Sequence, residues 1–202
     1  TFTALTVGYT PVAPITVTVT KTGTGNITNL SAALSGTDAD DFTLGALDAA
    51  TLDSTTTSAV FTMKPDDALA PGTYNATVTV TADNGVNQSF NICFTVNAPS
   101  APTIQSAAAG DTHVNITWSS VPGATGYKIY QSTVSGLYGT ALATVSDSVY
   151  NYDAAGLSNG TTYFFVVRTS IGIYDSMNSN EVSSTPQVPA PGAPVLQTAV
   201  AG

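Results

Sequence analysis

LSNGTTYFF, Leu157 to Phe165, reads as a leucine, a tight turn and a tyrosine that opens an alternating run. A closely similar phrase, LAPGTYNAT, spans Leu69 to Thr77. Alternation of apolar and polar residues is the mark of a half-buried β-strand, because successive side chains point to opposite faces. After the first tyrosine, Tyr74, Ala76, Val78 and Val80 share one face; after the second, Tyr163, Phe165 and Val167 do. One phrase opening an alternating run in each half of the chain raises the question of what the two halves share.

The flanking sequence continues the pattern. In PITVTVTK, Ile15, Val17 and Val19 oppose Thr16, Thr18 and Thr20. In VNQSFNICFTV, Phe90, Ile92, Phe94 and Val96 fall together. Further along, Val114, Ile116 and Trp118 alternate, as do Tyr127 and Ile129. Turn signals such as KTGTGN and ADNG separate the runs, and no segment has helical period. The expected fold is all-β: two tandem sandwiches, residues 1–97 and 98–188, with the apolar faces turned inward. NAPSAP, at the junction, favours extended backbone and a short, semi-rigid joint.

The last part of the chain repeats an earlier one. APSAPTIQSAAAG, Ala98 to Gly110, is echoed without a gap by APGAPVLQTAVAG, Ala190 to Gly202. The spacing is about one sandwich, so residues 189–202 are expected to be a linker and the truncated first strand of a further repeat. Its apolar residues would be Val195, Leu196 and Val200.

Composition narrows the function. The 202 residues are 43% hydrophobic and 8% charged, with a net charge of −9. Lys21, Lys64, Lys128 and Arg168 are the only cations, too few to neutralise a run of phosphates, so nucleic acid and anionic membranes are unsuitable partners. No apolar run reaches the ~18 residues of a membrane-spanning helix. TFTALTV has no basic segment or cleavage site, so any signal peptide is expected outside this sequence. The single cysteine, Cys93, excludes an internal disulfide or a thiolate metal site.

Catalysis has little to work with. His113 is the only imidazole, and its parity opposes Val114, Ile116 and Trp118, which puts it toward solvent. Cys93 opposes Ile92 and Phe94 and reads as a small residue on an outer face. Glu181 is the sole glutamate, so a paired-carboxylate hydrolase is hard to assemble. No catalytic residue, cofactor or dedicated metal site is expected. Asp38, Asp40 and Asp41 in GTDADDF form a weak candidate for calcium, without the spacing or terminal glutamate of a dedicated loop. Lys21, Lys64 and Lys128 lie beside apolar faces rather than on them, which disfavours a buried isopeptide. Asn-x-Ser/Thr triplets at Asn26, Asn29, Asn75, Asn87, Asn115 and Asn159 are expected by chance in a Thr/Ser-rich chain.

One stripe is a candidate binding surface. Lys128 and Tyr130 point opposite to Tyr127 and Ile129, and Phe164 and Arg168 opposite to Phe165 and Val167. Side by side, these strands would expose an aromatic and cationic row able to grip a sugar or a protein. Ordinary cross-strand pairing accounts for the same residues.

From SAPT through Trp118, GYKIYQS and VYNYDAAGLSNGTTYFFVVR to SNEVSSTP, the second half resembles a fibronectin type III domain of bacterial extracellular proteins. The match runs from about Pro99 to Pro186 and has no RGD tripeptide. The first half resembles the immunoglobulin-like repeats of bacterial surface proteins, through VGYTPVAPITVTVTKTGTGNI, SGTDADDFTL and LAPGTYNATVTVTADNG. The resemblance implies that Tyr74 and Tyr163 are corner tyrosines whose hydroxyls return to the preceding turn. Leu69 and Leu157 would plug the core beside them, with Trp118 and Tyr127 inside the second core. Asn159-Gly160 and Pro71-Gly72 would supply the turns.

It also implies a secreted or cell-surface setting. The expected role is that of spacer and presentation modules in a larger protein, whose partners are its neighbouring domains. The alternatives are a module that binds polysaccharide or a cell-surface protein, and accessory domains of a secreted polysaccharide-degrading enzyme.

Overall fold

The computed structural model describes residues 1–193, and the strand expected at Val195 to Val200 lies outside them. The chain divides into two compact units, Thr1–Ala98 and a second that begins at Pro99. Strands make up both, and among the described residues the only helices are single 3-10 turns at Ala39–Asp41 and Asp83–Gly85.

The first unit holds β1 (Leu5–Thr6), β2 (Ile15–Thr20), β3 (Ser31–Ser35), β4 (Phe42–Leu44), β5 (Ser58–Pro65), β6 (Gly72–Ala82) and β7 (Val86–Asn97). One sheet has the order β1-β7-β6-β3 and the other β2-β5-β4. The long β6–β7 hairpin pairs Gly72 with Val96 through to Ala82 with Val86. The sheets face each other through aromatic contacts. Phe2 meets Phe42 of one sheet and Phe94 of the other, each at 6.3 Å between centroids. Phe61, Met63, Val78, Ile92 and Phe94 are buried between them.

The second unit holds β8 (Ile104–Ala109), β9 (His113–Trp118), β10 (Gly126–Ser132), β11 (Ala143–Ser146), β12 (Asn151–Ala155), β13 (Tyr163–Ile171), β14 (Tyr174–Asp175) and β15 (Val182–Ser184). One sheet runs β12-β9-β8; the other runs β11-β10-β13-β14, with β15 also on β13. Val114, Ile116, Trp118 and Ala154 of the first sheet pack with Tyr127, Ile129, Phe165 and Val167 of the second in one core.

Both corner tyrosines reach back, in opposite senses. Tyr74 donates its hydroxyl to the Ala70 carbonyl at 2.8 Å. Tyr163 instead accepts from the Ser158 N–H at 3.1 Å. Leu157 is buried and Leu69 is half-buried. The first unit has another such anchor. Tyr9 donates to the Asp66 carbonyl at 3.0 Å and accepts from the Leu69 N–H at 3.1 Å, with its ring edge-on to Phe94.

Two local expectations are corrected. Phe90 has the inward parity of Ile92 and Phe94, yet it is 37% exposed and lines an open groove. Pro71-Gly72 does not supply a left-handed residue. Gly72 begins β6, and the residue with positive φ in that turn is Ala68, at 59°. The corresponding turn in the second unit does use Gly160, at 81°.

Candidate functional site

Antiparallel pairing of β10 with β13 sets Lys128 opposite Arg168, Tyr130 opposite Val166 and Ser132 opposite Phe164. The four stripe residues therefore share one face, away from Tyr127, Ile129 and Val167. That face is not the open surface its parity suggests. Tyr130 is 7% exposed and Val166 is 1% exposed, while Lys128, Phe164 and Arg168 are half-buried.

Two sets of contacts close it. The Arg168 guanidinium lies 4.6 Å from the centre of the Tyr130 ring, a cation–π contact, and its Nε donates to Asn178 Oδ1 at 2.7 Å. Lys128 donates to Asp175 Oδ2 at 2.6 Å, and Ser170 donates to Asp175 Oδ1 at 2.7 Å. Burial acts to raise the Asp175 carboxyl, but these hydrogen bonds and the charges of Lys128 and Arg168 outweigh it and hold the group below its ordinary value. Both cations of the stripe are thus engaged within the fold.

The second set belongs to Glu181, just ahead of β15. Val182 packs on the core, so Glu181 points to the outer face, and there it gathers the loop that follows β10. Ser135 Oγ donates to it at 2.6 Å, the Gly136 N–H at 2.8 Å and the Tyr138 hydroxyl at 2.5 Å. Because β15 lies on the far side of β13 from β10, this loop straps the outer face on which Tyr130 and Val166 lie. Donation by Ser135, then Tyr138, then Gly136 lowers the Glu181 carboxyl. Burial, and then the bond to this carboxylate, pushes the Tyr138 phenol up.

The remaining candidates lie apart. Asp38 Oδ2 accepts from the Asn75 N–H at 2.8 Å, tying the 3-10 turn to β6. Asp41 carries its turn to β5 through its carbonyl, which accepts from the Asp66 N–H at 2.8 Å. No group of three or more acidic, His or Cys side chains able to hold a metal occurs among the described residues. Asp53 shows the same local use of a carboxylate: the Thr56 N–H, the Thr55 hydroxyl and the Thr55 N–H hold it at about 2. The His113 ring lies against Gly110, where a Cβ would come within 2.2 Å of it, and its Nε2 is 4.0 Å from Asp153. Cys93 is half-buried on β7 opposite Asn75 and belongs to the other unit.

Trp118 and Tyr127 sit side by side in the core, with ring centroids 5.7 Å apart. Tyr127 accepts from the Val121 N–H at 2.9 Å, whereas the buried Trp118 Nε1 has no partner. Asn159 was legible only as a turn residue. Its amide clamps the β8–β9 turn, accepting from the Thr112 N–H at 2.9 Å and donating to Asp111 Oδ1 at 2.7 Å. Nothing in the local sequence signals that link, since its partners are over forty residues away.

The model of the fibronectin type III domain matches residues 97–185. Residues 97–185 are a fibronectin type III domain. Relatives carry related sequence. An amylopullulanase of Thermoanaerobacter thermohydrosulfuricus is 36% identical over 98 residues, 46% of this chain and 6% of that protein. An amylopullulanase of Thermoanaerobacterium saccharolyticum is 34% identical over 93 residues, 45% of this chain and 7% of that protein. The matched stretch is less than a tenth of the length of each of these relatives. Among solved structures, an Fn3-like protein from Clostridium thermocellum is 33% identical with a TM-score of 0.38, covering 48% of this chain and all of that one. Within the fibronectin type III domain, the Glu181 clasp and the Lys128–Asp175 pair occupy the outer face of the sheet that carries β10 and β13.

Proposed function

We propose that the two modules, residues 1–97 and 98–188, are non-catalytic accessory domains of a larger secreted polysaccharide-degrading protein, serving as spacers beside its other domains. The observation that carries this reading is the 36% identity to a short part of an amylopullulanase, a polysaccharide-degrading enzyme. The geometry supports a structural role. Glu181 holds a loop, Asp38 ties a turn to β6, Asp175 neutralises Lys128 and the His113 ring lies against Gly110. Acid–base work needs a group free to reach a substrate proton, and these groups are spent on the fold. A sugar-gripping role for the stripe has less support, because Tyr130 is only 7% exposed.

The test is to incubate the chain with amylose and pullulan, follow reducing ends, and run it through gels containing each polymer. No hydrolysis and unaltered mobility are expected. Hydrolysis abolished by Glu181→Gln would make it an enzyme. Retardation abolished by Phe164→Ala would make it a binding module.

A further inference from the structure

One side of the first sandwich is unfinished. Strand β2 is the outermost strand of its sheet, and on the facing sheet β1 pairs with β7 only at Val96 and Asn97. The backbone shows which groups of β7 face that edge. The Cys93 carbonyl accepts from the Phe2 N–H at 3.0 Å and the Asn97 carbonyl from the Val7 N–H at 2.9 Å. In an extended strand the groups alternate, so Asn87, Ser89 and Asn91 turn their N–H and C=O to the same edge. Among the described residues, no backbone group pairs with them there.

The side chains report the same gap. Ile15 is 40% exposed and Phe90 37%, and Val17, Val19 and Val86 are only half-buried, although all have core-facing parity. All but Ile15 line a groove of about 580 Å³ between the β2 edge and the β7 edge, floored by Leu30 and Val80. The only charged residue along it is Lys21, whose ammonium donates to the Gly23 carbonyl at 2.7 Å. Unpaired strand edges beside an apolar cleft are what an added strand satisfies.

The direction of β1 identifies the occupant. It runs parallel to β7, and Phe2 stands at Cys93, so polypeptide running into Thr1 along the same line passes Asn91, Ser89 and Asn87 in turn. We propose that this groove is the seat of an extended, uncharged strand leading into Thr1. It pairs parallel to β7 through Asn87, Ser89 and Asn91 and sets alternate apolar side chains between Val19 and Phe90. The module is completed by the polypeptide that precedes it, which couples its stability to its neighbour in sequence.

The experiment extends the full chain ahead of Thr1 by about eight residues, the length of an ordinary strand. Two extensions alternate Val and Thr in opposite phase, so only one presents valines to the groove. Amide exchange is then measured along β7. In one extension, and not the other, exchange at Ser89 and Asn91 should slow by at least about tenfold, independently of protein concentration. No slowing in either, or equal slowing in both, overturns the proposal. Slowing that grows with protein concentration assigns the groove to a second copy. Slowing by a free peptide of the same sequence, but by neither extension, assigns it to a separate partner. Both of these outcomes overturn it as well.

Discussion

The Tyr138 hydroxyl donates to the Glu181 carboxylate at 2.5 Å, joining the loop after β10 to the residue that precedes β15. With Ser135 and Gly136 on the same carboxylate, one side chain clasps a loop that local sequence leaves unanchored. Glu181→Ala should release the loop. The Gly136 amide should lose protection while β10 and β13 keep theirs, and unaltered Gly136 exchange would refute the clasp.

The clasp should also respond to acid. The Glu181 carboxyl is held below its ordinary 4.5, first by Ser135, then by Tyr138 and Gly136. A group with a depressed folded value contributes fully above its unfolded value and ceases to contribute as the pH falls through the folded one. The loop should therefore stay closed above about pH 4.5 and loosen progressively below it. Gly136 exchange, corrected for its intrinsic rate, should rise in that acid window, and a flat profile would count against the carboxylate.

The two corner tyrosines should respond unequally to removal of the hydroxyl. Tyr163→Phe leaves the part-buried Ser158 N–H without its acceptor and should cost about 0.5–1.5 kcal/mol. Tyr74→Phe leaves the Ala70 carbonyl in an exposed setting, where water replaces the donor, and should cost less. Denaturant melts of each module settle the order.

Trp118 is 2% exposed at the centre of the second core. Trp118→Ala should cost about 3–5 kcal/mol by opening a cavity. Trp118→Phe should cost much less, because the indole N–H has no hydrogen bond to lose. Equal losses in urea melts would show that an unseen polar contact matters more than volume.

Ala68 and Thr112 hold left-handed backbone, each with φ of 59°. That region is costly for a side chain with a Cβ, and more so for a β-branched one. Thr112 is held there because its N–H reaches Asn159 and its carbonyl accepts from the Leu157 N–H at 2.9 Å. Ala68→Gly and Thr112→Asn should each stabilise by up to about 1 kcal/mol, read as a raised melting temperature. A fall in either would mean that the side chain packs better than its backbone suggests.

The alternating runs determined the all-β class and the inward rows Val114–Ile116–Trp118 and Tyr163–Phe165–Val167, and the resemblance to known sandwiches pointed to the corners at Tyr74 and Tyr163. Each depends on period-two geometry or on a contact within a few residues, and such information is local. Parity assigns a side chain to a face of a sheet; it carries nothing about what lies over that face. Tyr130 and Val166 point outward yet are buried, with Arg168 over the Tyr130 ring and a loop held to Glu181, which is on the outer side of the same sheet. Phe90 points inward yet is open, because the edge beside it has no strand. Only the tertiary structure decided these cases. Burial depends on segments brought together from distant parts of the chain, and no spacing along the sequence encodes that approach.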